Sequence, residues 1–136
     1  MTETHPRRNW TMEAVEARLI EAVDTLKRIP VPDIQRTVTR WPDVVRDSRE
    51  AYGYAAVGFR PAPAAPDAIA RLDRTLEWLR WLPRDAQRIA WARASGVSWR
   101  RIAHFAGKVP NTCRAWYLAA LRAIALRLDE EGEKAT

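Results

Sequence analysis

Basic side chains without an acidic counterpart crowd into residues 96–116, GVSWRRIAHFAGKVPNTCRAW. They are Arg100, Arg101, His104, Lys108 and Arg114. Guanidinium and ammonium groups bind phosphate oxygens, and arginine also forms paired hydrogen bonds with the edge of guanine. The amide of Asn111, in the same segment, has the geometry to pair with adenine. The residue types therefore indicate recognition of a polyanion, of which nucleic acid is the commonest.

The charge of the whole chain is concentrated in the same region. Residues 84–127 contain nine Arg or Lys and one acid, Asp85, for a net charge of +8, while the remainder has fourteen bases and sixteen acids, for −2. A membrane surface is the weaker alternative as a partner. It requires one amphipathic helix with its basic face opposite an uncovered apolar face, whereas these bases are spread over three predicted helices.

Helical periodicity predicts the elements that position this region. Thr11 is placed to cap a first helix, which ends at Pro30. Pro42 suits the first turn of a second helix, and a third runs from Asp67 to Leu82. Their predicted core positions are Val15, Leu19, Ala22, Leu26 and Ile29, then Val44, Val45, Ser48 and Ala51, then Ile69, Leu72, Leu76 and Leu79 with Trp78 and Trp81 beside them. Residues 53–66, rich in Pro, Gly and Ala, are predicted to form a linker or a loop along the protein surface.

From Pro83 onward the pattern predicts a helix over 84–94, a short helix over 99–106 capped by Ser98, and a long helix from Pro110. Gly107 occupies the second turn, where a left-handed backbone is favourable for glycine. This is a helix-turn-helix order. Its predicted apolar contacts are Ile102, Ala103, Ala106, Cys113 and Trp116. No stretch alternates with period two, so the predicted fold is all-α, with N-terminal helices packed on the helix-turn-helix and its long last helix.

The last helix is more apolar than a helix that only contacts DNA requires. Its apolar positions wrap around well over half of its circumference. They are Trp116, Tyr117, Leu118, Leu121, Ile124, Leu126 and Leu128. We expect the first helix, the 67–82 helix or a second copy of the chain to cover them. Residues 1–66 and 67–136 are therefore predicted to form one cooperative unit.

The basic half resembles region four of bacterial sigma factors. The resemblance rests on Leu82–Pro83, Gly96–Ser98, Ile102–Ala103, and Gly107 with Thr112 five residues later, whereas Lys108 stands where such motifs have an apolar residue. The whole chain is also similar to an uncharacterised family of small helical proteins from alphaproteobacteria and their prophages. The matching stretches are WTMEAVEARL at 10–19, WPDVV at 41–45, AYG at 51–53 and WARASG at 91–96. The sigma resemblance implies binding to promoter DNA, to RNA polymerase, or to both.

If the last helix lies in the major groove, each candidate residue is predicted to contact either a base or a phosphate. The predicted base contacts are Lys108, Asn111, Arg114 and Ala115. The predicted phosphate contacts are Arg84, Arg88, Arg100, Arg101, His104 and Thr112. For each of them the alternative is a solvated surface position. Trp91, Trp99 and Trp116 are predicted to be core rather than base-stacking residues, and the acidic end DEEGEK to be solvated.

Other classes of function lack a signature in the sequence. There is no glycine-rich phosphate loop and no serine–histidine motif, so we predict that the protein is not an enzyme. Cys113 with His5 and His104 makes no zinc-ligand set, which predicts neither metal nor cofactor, and Cys113 is expected to be a small core residue. The N-terminal residues have no apolar segment of a signal peptide and no run is long enough to span a membrane, which predicts a cytoplasmic protein.

These features together predict a double-stranded DNA-binding protein, of the phage or prophage type of transcription regulator. RNA polymerase and a second copy of the chain are the further predicted partners. Two alternative functions fit the same sequence features. One is a small terminase-like subunit for DNA packaging, which assembles into a ring, and the other is a helical interaction module that does not bind DNA.

Overall fold

The computed structural model describes residues 9–29, 42–45 and 62–133. Within these ranges five helices have defined bounds: α1 (Met12–Lys27), α2 (Pro66–Leu79), α3 (Arg84–Ala94), α4 (Trp99–Ala106) and α5 (Pro110–Glu130). Residues 43–45 are helical as well, and no strand occurs among the described residues. The predicted all-α class is confirmed. The predictions for Ser48, Ala51 and most of the 53–66 linker fall outside the described residues.

Helix α1 forms as its capping residue and apolar spacing predict. Thr11 is extended, and its hydroxyl oxygen accepts a hydrogen bond from the Ala14 N–H at 3.0 Å. This bond satisfies one of the backbone donors that a helix start leaves free. The predicted positions from Val15 to Leu26 are buried, and Ile29, beyond the last turn, is half-buried.

Helix α2 ends three residues earlier than the predicted end at Leu82. The N–H groups of Arg80, Trp81 and Leu82 donate to carbonyls three residues back, at 3.0–3.1 Å, so the chain tightens into a 3₁₀-like turn. Pro83 explains the tightening, because a proline disfavours α-helical geometry at the residue before it. The prediction that Ile69 belongs to the core is wrong: its side chain is 38% exposed.

One continuous core joins the N-terminal helix to the basic half. Helix α1 packs against α2, α3 and α5, and α4 packs against α3 and α5. Trp78 of α2 and Trp91 of α3 are among the largest fully buried side chains. Burial of aromatic side chains of this size contributes strongly to stability, since each removes about 150–250 Å² from water.

Helices α3, α4 and α5 occupy the ranges that the sequence predicts. The Ser98 hydroxyl caps α4 by accepting from the Arg101 N–H at 3.2 Å, and Gly107 ends it with a φ of +69°. Only glycine adopts that left-handed conformation readily. Ile102 and Cys113 are fully buried between α4 and α5, which confirms Cys113 as a core residue. Trp99 and Trp116 are half-buried and pack against the core, as predicted for packing residues.

Helix α5 buries one face instead of most of its circumference. The buried positions are Cys113, Tyr117, Ala120, Leu121, Ile124, Ala125 and Leu128. Leu118 and Leu126, predicted to be covered, are 42% and 53% exposed. Helices α1, α3 and α4 pack on α5, and its buried positions lie on one side, so among the described residues the opposite face of α5 is exposed.

The acidic end of the chain is part of the fold, which corrects the prediction that it is merely solvated. Arg74 of α2 pairs with Glu77 at 2.8 Å, with Glu131 at 3.3 Å and with Glu133. The backbone N–H of Trp10 donates to Asp129 at 2.8 Å, and its indole N–H donates to the Glu133 carbonyl at 3.0 Å. These contacts hold the end of α5 against α2 and against the residues that precede α1.

Candidate nucleic-acid interface

The ten residues predicted to contact DNA lie on α3, on α4, and on the turn and first two turns of α5. Eight of them are exposed, while Lys108 and Thr112 are half-buried. We call the exposed cationic residues among them, with His104, the basic surface: Arg84, Arg88, Arg100, Arg101, His104 and Arg114. None of these six side chains forms an ion pair within the part of the chain that the structure describes.

The helical period places the α4 members of the basic surface on its outer face. Ile102 is fully buried against α5, while Arg100, Arg101 and His104 are exposed. Positions three and four residues apart on a helix are neighbours on its surface, so His104 adjoins both Arg100 and Arg101. Helix α4 therefore presents two guanidinium groups and an imidazole to solvent, and no carboxylate of the described residues pairs with them.

Helix α3 adjoins this surface through an aromatic contact. The Arg88 guanidinium carbon lies 5.0 Å from the ring centroid of Phe105, which is on α4. A cation over an aromatic face is attracted by the ring quadrupole, and this attraction orients the arginine while its outer nitrogens stay in water. The contact brings the α3 and α4 arginines onto one continuous surface.

Lys108 differs from the other predicted base contacts. Its ammonium nitrogen lies 3.9 Å from a carboxylate oxygen of Asp85 and 4.6 Å from the ring centroid of Trp116. Asp85 is the only acid in residues 84–127, so this contact occupies the one carboxylate that would otherwise compete for the neighbouring arginines. Lys108 is held between α3 and α5, whereas Asn111, Arg114 and Ala115 extend into solvent.

The start of α5 leaves backbone donors available. Val109 precedes the helix without a side-chain cap, and Pro110 is its first residue. The first N–H groups of a helix have no partner inside it and carry a partial positive charge, which favours anions nearby. Asn111, Arg114 and Ala115 lie on one exposed face of this end, which continues through Leu118.

Two of the nine bases in residues 84–127 serve the fold instead. Arg93 donates to the Val97 carbonyl at 3.2 Å and covers the Trp99 ring at 4.6 Å, which braces the turn between α3 and α4. Arg127 covers Trp81 at 4.2 Å and pairs with Glu131 at 3.1 Å. In the sequence these arginines look the same as those of the basic surface. Only their neighbours in space distinguish an arginine that stabilises the fold from one that is free to bind a ligand.

A buried tyrosine connects the basic half to α1. The Tyr117 hydroxyl donates a hydrogen bond to the Glu16 carboxylate, and the Tyr117 ring meets that of Trp99 edge-on at 5.5 Å. Burial, followed by the hydrogen bond to Glu16 and the charge of Glu16, raises the pKa of Tyr117 above its ordinary value of 10.0. Nothing in the sequence indicates this link, because its two residues are 101 positions apart.

The raised pKa of Tyr117 predicts a loss of stability in alkali. A group whose pKa is higher in the folded state stabilises the fold fully below its unfolded pKa of about 10, and this contribution disappears as pH rises through the folded pKa. Tyr117→Phe should lower the free energy of unfolding by about 1–3 kcal/mol at pH 8. The gap between the two proteins should narrow above about pH 10, measured by urea unfolding at a series of pH values. Parallel curves up to pH 12 would contradict this role of Tyr117.

The fold and this surface together define an all-α protein with an exposed cluster of unpaired bases on its last three helices. The chain belongs to the family described as "Domain of unknown function (DUF6362)", which matches residues 27–124. The matched range contains α2, α3, α4 and most of α5, and with them every residue of the basic surface. Comparison with curated proteins and with solved structures finds no match.

Two further observations concern the kinds of site present. Among the described residues, no group of three or more His, Cys, Asp or Glu side chains is arranged to hold a metal ion. In the same part of the chain, no helix combines the length and the apolar character that crossing a bilayer requires.

Proposed function

We propose that this protein binds double-stranded DNA through α4, the turn at Gly107 and the start of α5. The observation that carries the proposal is the basic surface: five arginines and a histidine, exposed and without an ion pair in the described structure, beside the uncapped start of a 21-residue helix. Within the described part of the chain, acids elsewhere are engaged by Arg71 and Arg74, away from this surface, and none pairs with it.

The geometry supports different DNA contacts for the two helices, phosphate contacts for α4 and base contacts for α5. In a helix-turn-helix protein the first helix lies across the backbone and the second enters the major groove. Helix α4 then supplies phosphate contacts through Arg100, Arg101 and His104, with Arg84, Arg88 and Thr112 in the same role. Helix α5 supplies the base contacts. Of those, Asn111, Arg114 and Ala115 are solvent-facing, while Lys108 reaches DNA only by leaving Asp85 and Trp116.

The biological role proposed with this binding is regulation of transcription in the cytoplasm, of the phage or prophage type. Binding to RNA polymerase belongs to the same proposal, through the resemblance to region four of sigma factors. No catalytic step is assigned to the protein. A genome-wide map of bound DNA tests the role, because a regulator concentrates at promoters, whereas a packaging subunit concentrates at one site in a phage genome.

Two arginine substitutions separate base contacts from phosphate contacts. Arg114→Ala should change the preferred base at one or two positions, with a loss of discrimination of about 1–3 kcal/mol. Arg101→Ala should weaken binding to all sequences about equally and reduce the salt dependence of binding. The measurement is binding of each variant to a randomised DNA library at two salt concentrations. Indistinguishable profiles for the two variants would show that α4 and α5 do not divide these roles.

A further inference from the structure

Beyond its first turns, α5 carries an exposed row of residues that touches nothing else in the described chain through a salt bridge or hydrogen bond. We call it the α5 stripe: Ala119, Arg122, Ala123, Leu126 and Glu130. Residues spaced by three and four lie on one face of a helix. Leu126, at the middle of the charged part of the row, is 53% exposed. Ala123, three residues before Leu126, is small enough for another helix to approach closely.

The charges of the α5 stripe are complementary to those of a second, antiparallel copy. Arg122 lies four residues before Leu126 and Glu130 four residues after it. A two-fold axis at Leu126 therefore sets Arg122 of one protomer opposite the partner's Glu130, and the symmetry repeats this pair. Arg122 and Glu130 form no ion pair or hydrogen bond within the described residues, so both are available for it. Leu126 would contact its own copy on the axis.

This arrangement also suits the spacing of the major grooves. Arg114 is twelve residues from Leu126, which corresponds to about 18 Å along a helix with a rise of 1.5 Å per residue. Two antiparallel copies then place their Arg114 residues about 36 Å apart along the shared direction of the two α5 helices. When that direction follows the duplex and only the first turns of each α5 enter a groove, the distance matches the 34–36 Å between half-sites one turn of DNA apart. The contact leaves Asn111, Arg114 and Ala115 uncovered in both protomers.

We propose that a second copy of this chain docks antiparallel on the α5 stripe, and that the dimer recognises a palindromic duplex site with half-sites one helical turn apart. The docking stands by itself, whereas the palindrome rests on the proposed DNA binding. One helix face buries less than the roughly 1,600 Å² of a standard interface. The dimer in solution is therefore expected to have a micromolar dissociation constant, and two half-sites on one duplex strengthen binding through effective concentration.

Charge reversal on the full chain tests the docking without DNA. Sedimentation equilibrium should show R122E and E130R each weakening the dimer by about tenfold or more, because every reversed contact occurs twice. The double variant R122E/E130R should restore the dissociation constant to within about threefold of the wild-type value. Ile20→Glu, at a 50% exposed position on α1, is the matched control and should leave association unchanged. A protein that stays monomeric at all concentrations, or forms a larger ring, overturns the proposal.

A cysteine on the axis gives an independent measurement that does not depend on the strength of the dimer. Leu126→Cys should form an intermolecular disulfide under mild oxidation, since the two-fold axis places position 126 of one protomer beside position 126 of its partner. The natural Cys113 is fully buried and does not compete. Ile20→Cys, equally accessible, should remain uncrosslinked. Equal crosslinking of the two variants would count against the docking.

A DNA-binding experiment distinguishes the proposed docking of two copies from the proposed binding to DNA. On a selected palindromic site, insertion of five base pairs between the half-sites should lower affinity by at least about tenfold, because half a turn moves one half-site to the opposite side of the duplex. A dimer that binds no duplex DNA supports the docking and refutes the proposed function. A protein that binds DNA but tolerates the insertion, and does not crosslink through Leu126→Cys, refutes the docking.

Discussion

The affinity of the protein for duplex DNA should fall by about 150-fold between 50 and 200 mM salt. Four arginines are assigned to phosphate contacts: Arg84, Arg88, Arg100 and Arg101. Each neutralised phosphate contributes roughly −0.9 to the slope of log affinity against log salt, which gives about −3.6 for four contacts. Fluorescence anisotropy with a labelled duplex at a series of salt concentrations measures the slope. Affinity that is independent of salt would contradict DNA binding through the basic surface.

A double variant localises that salt dependence to α4. Arg100→Gln with Arg101→Gln should reduce the slope by about 1.8, because two phosphate contacts are lost while the other two remain. Both side chains are exposed and unpaired in the described structure, so the substitutions are expected to leave the fold intact. Lys27→Gln, at an exposed base at the end of α1, is the control that removes half as much charge, and it should leave the slope unchanged. A change in slope half as large as that of the double variant would mean that only overall charge matters.

Leu121→Asp should lower the free energy of unfolding by about 3–5 kcal/mol, which corresponds to roughly 10–20 °C in Tm. Leu121 is 2% exposed and belongs to the continuous core around α5. A carboxylate at this position would be buried in an apolar environment, and transferring an unpaired charge out of water costs free energy. Calorimetry or circular dichroism on the full chain measures the change.

The same variant tests whether the two halves unfold together. Helix α1 packs on α3 and α5, and the Tyr117–Glu16 hydrogen bond crosses the same boundary, so hydrogen exchange should accelerate in α1 as much as in α5. Leu118→Asp is the matched control, since Leu118 lies three residues earlier on the same helix but is 42% exposed. It should change stability by no more than about 0.5 kcal/mol. Protection retained in α1 while α5 exchanges freely would show two independent domains.

The local structure of this protein could be predicted closely because its signals are local. Thr11, Ser98 and Gly107 act on backbone groups within four residues, so their effect is visible in the sequence alone. The bounds of α3 and α4 follow from such residues together with Pro83 and Pro110. The end of α2 was predicted less well, because a 3₁₀-like turn and a last helical turn have the same apolar pattern.

The candidate surface could be predicted only as a list of residue types. Net charge identified residues 84–127, but it did not distinguish Arg93 and Arg127, which cover tryptophan rings, from Arg100, Arg101 and Arg114, which are exposed. Nor did it reveal the role of the acidic end, where Glu131 and Glu133 pair with Arg74 from another helix. An ion pair depends on a distance in space, and sequence separation of 57 or 59 residues carries no information about that distance.

The sequence by itself determined the all-α class, the helices of the basic half and the concentration of charge there, because periodicity, caps and composition act over a few residues. The tertiary structure decided which face of α5 is buried. Periodicity marks Leu118, Leu121 and Leu126 alike as apolar, yet only Leu121 is covered, since α1, α3 and α4 all approach α5 from one side. The direction from which neighbouring helices arrive is a property of the packed chain, and among the described residues it leaves the opposite face of α5 exposed.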